Sequence, residues 1–451
     1  MEKSTVATQP DSHVAPRPSR LPGRFARLPE LAGPGFLPLG LFARLPLAML
    51  TVGTLTLVTA VSHSYAIGGT AAGAVGIGSA LGAPVLGSLA DRAGQRIVLL
   101  VAAVVNTLAV AALLTTAYLT PVYGSASDAV GVLIAAFLAG ASCPQVGPMA
   151  RVRWMALTTR NLSHASSGGS KSVASNRADL DTALSYEGTA DEITFVLGPA
   201  LVGLLASLVA PWLPLALAAV MTIALVPAFA VHPSQLAVVP APRVPGAGVE
   251  SSAEQTTAAT RRNRWSGAVV AVPVVAMVCM GTFFGATQNA LSAYSAQYAT
   301  AEIAGLLYAV MGLSSAVAAL SVAFWPQRFS LASRWVAAAL AMTGLSVLLF
   351  LPSGIWPMVF VLLLLGIPVG PVMVTVFSIG GVVAPVGRMA TVMTALASGI
   401  VAGTALGSYL AGQLAQTQGA GAAFSVSMGA AGGLLLLGAI TWLVMKGRPQ
   451  A

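Results

Sequence analysis

The stretch Gly87-Ser88-Leu89-Ala90-Asp91-Arg92-Ala93-Gly94-Gln95-Arg96 is a short charged turn between two long apolar runs. Hydropathy places those runs at residues 67–89 and 97–118. Each is about as long as the roughly 20 residues that cross ~30 Å of hydrocarbon as a helix. The sequence therefore predicts a helical hairpin that crosses a membrane twice, with the charged turn at one face.

Extending the same pattern in both directions gives twelve apolar runs, which we call spans 1 to 12. The composition agrees with a membrane protein, because 56% of the residues are hydrophobic and 8% are charged, against about 25% charged residues in soluble domains. The approximate limits of the spans are 45–65, 67–89, 97–118, 129–150, 186–208, 212–231, 266–292, 302–324, 335–351, 354–380, 389–413 and 420–445.

All 22 lysines and arginines fall on one side of the membrane when the spans are counted alternately. Positive charge favours the cytoplasmic side, so we expect both termini to be cytoplasmic in a protein of the plasma membrane. The net charge of +9 is spread over short loops rather than gathered in one patch. Topology and attraction to anionic lipid explain this charge, and nucleic-acid binding is not expected.

The segments between the spans predict how the chain is divided. Residues 232–265 are rich in Pro, Ala, Gly and polar residues, which is typical of a linker, and they separate six spans from six. Bundles are therefore expected over 43–231 and 266–446. Residues 1–42 contain no signal peptide and are expected to form a disordered cytoplasmic tail, followed at the other end by a short tail over 447–451.

Two details add to this organisation. Residues 155–182 include a Ser/Gly stretch that predicts a flexible cytoplasmic loop with a short interfacial helix near its end. The two halves also share a faint similarity, since Val146-Gly147-Pro148-Met149 in span 4 is matched by Val369-Gly370-Pro371-Val372-Met373 in span 10. This similarity and the even span count favour a repeat of six plus six helices.

The charged turn resembles the loop signature of the major facilitator superfamily. Gln95 departs from it, where a basic residue is common. With the span count, the resemblance covers about residues 40–448. It implies an all-α integral membrane protein with 12 transmembrane helices in two six-helix pseudo-symmetric bundles, and a conformational latch in this loop. The latch positions are occupied by Gly87, Asp91, Arg92, Gly94 and Arg96.

The physical chemistry of the turn is compatible with such a latch. Asp91 could accept hydrogen bonds from the first amides of span 11, where a carboxylate is worth about 0.3–1 kcal/mol and up to ~2 kcal/mol when partly buried. Gly87 allows the two helices to approach closely, while Arg92 and Arg96 could bind lipid phosphate. The alternative is a charged tight turn without a switching role.

Small residues in two further spans indicate close helix packing. Gly198 and Pro199 in span 5 look like the fifth-helix motif of drug and metabolite antiporters of the superfamily, although Thr194 stands where that motif has a glycine. The stretches 151–154 and 190–199 also resemble actinobacterial exporters of this superfamily. Packing alone is an alternative explanation of the glycines. In span 11, small residues recur at every fourth position as Gly399, Gly403, Gly407 and Ala411.

Three carboxylates lie within six residues where the chain enters span 5, namely Glu187, Asp191 and Glu192. A charge at the bilayer centre costs at least ~2.5 kcal/mol, so these groups need partners or a function. One interpretation is a gate of salt bridges, and the other is direct proton carriage. Protons are the expected coupling ion, with Asp91 as a further candidate. The arginines available to the gate are Arg44, Arg151 and Arg153.

In the superfamily, spans 1, 4, 7 and 10 line the central cavity. Aromatic rings, methionines and a few amides there suit an apolar or amphipathic organic cargo, and no Lys or Arg deep in a span argues against a strongly anionic one. Interhelical hydrogen bonding is the alternative for the amides. The candidate cavity residues are Thr54, Gln145, Phe283, Phe284, Gln288, Asn289, Tyr294, Met373 and Phe377.

The residues also limit the class of function. Gly168-Gly169-Ser170-Lys171-Ser172 lacks the spacing of a nucleotide-binding loop, and no catalytic or metal-ligand spacing is evident, so no enzyme, cofactor or metal site is expected. The sequence predicts a monomeric secondary transporter that couples protons to export of small organic molecules by alternating access. The alternatives are an importer of a sugar or other metabolite, and a receptor or scaffold that does not transport.

Overall fold

The structure is a computed structural model that describes residues 23–120, 128–164, 170–239, 253–298, 303–326 and 328–446. These residues form helices and contain no strand. Twelve of the helices are long and apolar enough to cross a membrane, which confirms the predicted fold class. The spans occupy Phe36–Ser62, Ile67–Ala93, Gln95–Leu119, Val130–Thr159, Ser175–Leu208, Leu213–Val231, Val269–Tyr298, Ile303–Phe324, Leu331–Phe350, Ile355–Val383, Met389–Gln418 and Ala420–Leu443.

The spans form two bundles that repeat one packing pattern. In the first bundle, spans 1, 2 and 3 pack against spans 5, 4 and 6, respectively. In the second bundle, spans 7, 8 and 9 pack against spans 11, 10 and 12 in the same order. Because the pairings are related by a shift of six spans, the two halves are structural repeats of each other.

Glycines lie where helices cross most closely within each bundle. A Cβ atom at Gly403 or Gly407 of span 11 would overlap the carbonyl of Val278 or Thr282 in span 7. A Cβ atom at Gly198 in span 5 would lie 2.6 Å from the Cβ of Ala48 in span 1. Small side chains at these crossings let the backbones touch, which is the main source of helix association where lipid removes the hydrophobic driving force.

Span 4 is not one continuous helix. Its first segment ends at Ala141 and its second begins at Val146. Pro144 lies between them, and proline has no N–H to continue the helical ladder. Asn106 of span 3 donates from Nδ2 to the carbonyl of Ala139 at 2.6 Å, which satisfies one carbonyl at the end of the first segment. Span 4, predicted over residues 129–150, therefore consists of two helical segments.

The prediction of a disordered tail over residues 1–42 is wrong for residues 23–42, which the structure describes. A 3-10 helix spans Arg24–Arg27, a short helix spans Leu28–Ala32, and span 1 already begins at Phe36. The side chains of Leu28, Ala32 and Phe36 are buried in a hydrophobic core, and this apolar burial orders the segment. Residues 1–22 lie outside the described residues.

The two expected loops between spans are also shorter than predicted. The helix of span 4 continues to His164 and that of span 5 begins at Ser170, so most of residues 155–182 is helical, and no separate interfacial helix forms in the described part of this stretch. Residues 165–169 are not described. In the predicted linker 232–265, a 3-10 helix covers Pro233–Ala237 and the helix of span 7 begins at Ala253.

The close crossing of spans 7 and 11 predicts a position-specific effect of alanine. Gly403→Ala should lower the melting temperature of the purified protein by several degrees, because the new methyl group overlaps the Val278 carbonyl. Gly412→Ala is the matched control on the same helix, since nothing lies within 4 Å of its Cβ position. Alanine favours a helix over glycine by about 1 kcal/mol, so the control should keep or raise the melting temperature. Equal melting temperatures would contradict the crossing.

The charge pattern predicts the orientation of the protein in the cell. In a variant with Cys143→Ala and Cys279→Ala, a single cysteine is introduced as Gln418→Cys or as Val386→Cys, at opposite ends of span 11. Both positions are exposed. A membrane-impermeant maleimide added to intact cells should label the first and not the second until the cells are opened. The reverse pattern would place the arginine-rich loops outside the cell.

Candidate functional site

Asp91 joins the two bundles through the start of span 11. Its Oδ1 accepts a hydrogen bond from the N–H of Ala390 at 2.9 Å, and its Oδ2 accepts one from the N–H of Thr391 at 2.8 Å. The Thr391 hydroxyl donates to the same Oδ2 at 2.6 Å. Because span 11 begins at Met389, the carboxylate satisfies amides of the first turn and faces the positive end of the helix dipole.

Other parts of the charged turn support this contact. A Cβ atom at Gly87 would overlap the hydroxyl of Thr394 in span 11. Gly94 has a φ of 89°, which glycine adopts readily, and it separates spans 2 and 3. Arg92 and Arg96 are exposed. We call the face of the membrane that carries this turn the basic side.

Two carboxylates and two arginines form a buried ion cluster in the first bundle. Arg44 of span 1 binds Glu187 at 2.6 Å and Asp191 at 2.8 Å. Arg151 of span 4 binds the other oxygen of Asp191 at 2.6 Å. The indole Nε1 of Trp154 donates to Glu187 at 2.9 Å. The formal charges cancel, and the cluster ties spans 1, 4 and 5 together.

The third carboxylate of span 5 has a different environment. Glu192 is buried and accepts a hydrogen bond from the hydroxyl of Ser315 in span 8 at 2.8 Å. Among the described residues, no cation lies within salt-bridge distance of it. Since successive residues of a helix point about 100° apart, Glu192 faces the second bundle while Asp191 faces the arginines.

Arg153 also lies outside the ion cluster. Its Nε donates to Oε1 of Gln95 at 2.9 Å, and its Nη1 donates to the carbonyl of Phe229 at 2.8 Å and to the hydroxyl of Ser234 at 3.1 Å. The guanidinium also lies 4.0 Å from the centre of the Phe229 ring. The side chain of Gln95 is thus hydrogen-bonded inside the first bundle. Gln95 stands at the position where the loop signature usually has a basic residue.

Two arginines lie within helices of the spans, although the sequence pattern placed no Lys or Arg deep in a span. Arg44 and Arg151 are buried inside spans 1 and 4, whereas the hydropathy pattern places both in loops. The helices extend past the apolar runs because the paired charges lower the cost of burying each arginine. The absence of deep arginines therefore no longer argues against an anionic cargo, although the two positive charges are matched by Glu187 and Asp191.

Arg151 extends from the ion cluster to the second bundle. Its guanidinium carbon lies 3.9 Å from the centre of the Phe377 ring in span 10, which is the geometry of a cation–π contact. Phe377 is fully buried at this contact. One arginine thus contacts Asp191 in its own bundle and an aromatic ring in the other.

Two further contacts between the bundles were not predicted. Arg334 of span 9 pairs with Asp181 of span 5 at 3.1 Å, and the hydroxyl of Thr189 in span 5 donates to the carbonyl of Ala316 in span 8 at 3.0 Å. The sequence assigns Asp181 and Arg334 to loops, so only the extension of the helices brings them together. A threonine at a helix crossing carries no sequence signal of its own.

The polar cavity candidates mostly bind backbone carbonyls near them in the chain. Gln288 is exposed, and its expected role as a cargo contact stays a prediction, as does that of the other candidates. Hydrogen bonds are donated by Thr54 to Leu50 at 2.8 Å, by Gln145 to Cys143 at 2.9 Å and by Asn289 to Gly285 at 3.2 Å.

The aromatic candidates divide into two groups. Tyr294 is engaged in packing, because its hydroxyl donates to the Gly354 carbonyl at 3.0 Å and accepts from the Gly354 N–H at 2.9 Å. Phe283 and Phe284 contact each other edge to face with ring centres 6.1 Å apart. Met373 is buried in span 10, one turn before Phe377.

Comparison with known proteins identifies the family. The sequence model described as the Major Facilitator Superfamily matches residues 36–399, which run from the start of span 1 into span 11 and include the Asp91 contact. The chain belongs to the Major Facilitator Superfamily. No curated protein matches the sequence.

Solved structures of this superfamily share the fold at low sequence identity. The human organic anion transporter MFSD10 has 18% identity and a TM-score of 0.63, over 92% of this chain and 100% of its own. A bacterial homologue of the iron transporter ferroportin has 14% identity and a TM-score of 0.64, over 91% of this chain and 98% of its own. The E. coli fucose:proton symporter FucP has 16% identity and a TM-score of 0.59, over 89% and 98%.

The contact of Asp91 with span 11 predicts a shift in the equilibrium between the bundles. Spin labels at Thr159→Cys and Val386→Cys, in the background without native cysteines, report the distance between the bundles at the basic side. Asp91→Ala should raise the population at longer distance roughly 5–30-fold, because losing such a cap costs about 1–2 kcal/mol.

Glu30→Gln is the control for this measurement. It also removes one carboxylate charge, but Glu30 is exposed and lies outside the charged turn, so its distance distribution should follow the unsubstituted protein. Circular dichroism of each variant checks that the helices are retained. An unchanged distribution in folded Asp91→Ala would show that the turn does not hold the bundles together.

Proposed function

We propose that this major facilitator is a secondary active transporter of the plasma membrane that exports small organic molecules in exchange for protons. Alternating access of the two bundles moves the cargo, and the basic side faces the cytoplasm. The observation that carries the proposal is the position of Glu192, a buried carboxyl group of one bundle that is hydrogen-bonded to Ser315 of the other.

Glu192 differs from its neighbours in how its charge is compensated. Glu187 and Asp191 bind arginines, whereas Glu192 has a single hydroxyl donor among the described residues. Burying a carboxylate without a counter-charge is costly, and binding a proton removes that charge. When the bundles separate, Ser315 leaves and water reaches the group. Proton exchange at Glu192 is thereby linked to movement of the bundles.

The ion cluster and the contacts between the bundles fit a transporter whose two bundles move relative to each other. The ion cluster keeps spans 1, 4 and 5 together as one body, while Asp91 and the Arg151–Phe377 contact join that body to the second bundle. Each of these inter-bundle contacts is small enough to be broken and remade. The fucose:proton symporter has the same fold, so this architecture accommodates proton coupling.

Export and the class of cargo have their own support. The Gly198-Pro199 pair of span 5 is similar to a motif of drug and metabolite antiporters, and it favours exchange over uptake. The rings of Phe283 and Phe284 in span 7 suit apolar or amphipathic molecules. No second function is favoured by a specific observation.

The proposal is tested by comparing small molecules inside cells with and without the protein. Untargeted mass spectrometry should find compounds depleted from expressing cells, and a protonophore should abolish the depletion. For a compound found in this way, vesicles with an imposed pH gradient should show uphill transport by the unsubstituted protein. Compounds enriched in expressing cells would instead identify an importer.

The same vesicles test the role of Glu192. Glu192→Gln should lower the rate of uphill transport at least tenfold and leave downhill exchange unchanged. The amide oxygen can still accept the hydrogen bond from Ser315, but the amide cannot exchange a proton. Glu30→Gln makes the same chemical change at an exposed residue and should transport normally. Uphill transport by Glu192→Gln at the normal rate would remove the coupling role.

A further inference from the structure

A segment before span 1 lies across the basic side of both bundles. It consists of residues 23–35, which we call the strap, and contains the 3-10 helix Arg24–Arg27 and the helix Leu28–Ala32. No membrane crossing requires these residues to fold. Their ordered contacts therefore need a separate explanation.

The strap is anchored on the first bundle. Leu28 and Ala32 are buried in the core that also contains Trp154 and Phe229. Arg27 pairs with Asp179 at the start of span 5 at 3.4 Å. These contacts, with the chain connection to span 1, make the strap move with the first bundle.

Contacts of His232 hold the end of the strap that is nearest span 1. His232, which follows span 6, lies with its Nε2 3.3 Å from the carbonyl of Pro34. Its ring packs against that of Phe36 with centres 5.4 Å apart. The anchor thus involves spans 1, 5 and 6, all in the first bundle.

The tip of the strap contacts the second bundle. Arg24 donates a hydrogen bond from Nη1 to the carbonyl of Ala323, where span 8 ends. The ring of Phe25 meets that of Phe324 edge to face, with centres 6.0 Å apart. The Arg24 guanidinium lies 5.5 Å from the centre of the same ring. One hydrogen bond and two ring contacts thus join the tip to a single turn of span 8.

We propose that Arg24 and Phe25 act as an intramolecular ligand that docks on the basic-side end of span 8 and holds the basic side closed. The strap is anchored in one bundle and bound at its tip to the other, so separating the bundles on this side must break the tip contact. The strap thereby slows opening toward the side from which cargo of an exporter would enter. This inference does not depend on the coupling ion, the cargo or the direction of transport.

The docking contact is adjustable because it lies at the surface. Phe324 is 59% exposed even with Phe25 against it, so the tip can leave without opening a cavity in the second bundle. Contacts of an aromatic pair and a cation–π pair at such a site should change the closed-to-open ratio roughly 5–30-fold when lost together. The strap biases the equilibrium and does not lock it.

The test is the distance between spin labels at Thr159→Cys and Val386→Cys in full-length protein reconstituted in lipid nanodiscs. Phe25→Ala should raise the population at longer distance several-fold, and Arg24→Gln should act in the same direction. Glu30→Gln, an exposed change in the same segment, should leave the distribution as it is. Melting temperatures of all variants check that the bundles stay folded.

A double-mutant cycle identifies the partner of the tip. Phe324→Ala should open the basic side at least as far as Phe25→Ala does, because it also removes the ring contact with Arg24. The double variant should open it no further than Phe324→Ala, because the Phe25–Phe324 contact is then already lost. Strictly additive effects would overturn the proposal, as would unchanged distances in folded Phe25→Ala and Arg24→Gln. Because the readout is a distance, these outcomes are independent of whether cargo export is found.

Discussion

The first bundle depends on the mutual neutralisation of Arg44, Arg151, Glu187 and Asp191 inside the membrane. Each of these groups alone would be expensive to keep in a medium of low dielectric constant. Together they form short contacts of 2.6–2.8 Å, so the cost of burial is offset within one cluster. Because the arginines come from spans 1 and 4 and both carboxylates from span 5, the requirement for pairing also determines how these three spans are rotated toward one another.

The contacts between the bundles are of another kind. The polar ones are a carboxylate on a helix terminus at Asp91, a ring under the guanidinium of Arg151, the ion pair of Arg334 with Asp181, and single hydrogen bonds from Thr189 and Ser315. Span 2 also packs along span 11. Contacts inside a bundle, such as Gly403 against Val278, bring backbones together at several crossings. Between the bundles, Gly87 of span 2 makes one such close approach to span 11. The two bundles therefore meet through isolated polar contacts and one close helix crossing.

Much of this arrangement could be predicted from the sequence, because the bilayer imposes simple rules on it. Helix length follows from membrane thickness, and the charge pattern follows from topology, so the sequence predicts the number of spans and the place of the Asp91 turn. It does not predict which charged residues pair with each other. Whether Arg44 or Arg153 faces span 5 depends on helix rotation, and Arg334 reaches Asp181 only because both helices extend beyond their apolar runs.

The interruption of span 4 at Pro144 has a mechanical consequence for the first bundle. The segment that ends at Ala141 packs closely against span 2, because Cβ atoms at Gly78 and Gly82 would overlap its backbone. The segment that begins at Val146 carries Arg151 and is fastened to span 5 through Asp191. A helix that is interrupted near its middle can bend there, so the segment that carries Arg151 can tilt while the segment packed against span 2 stays in place.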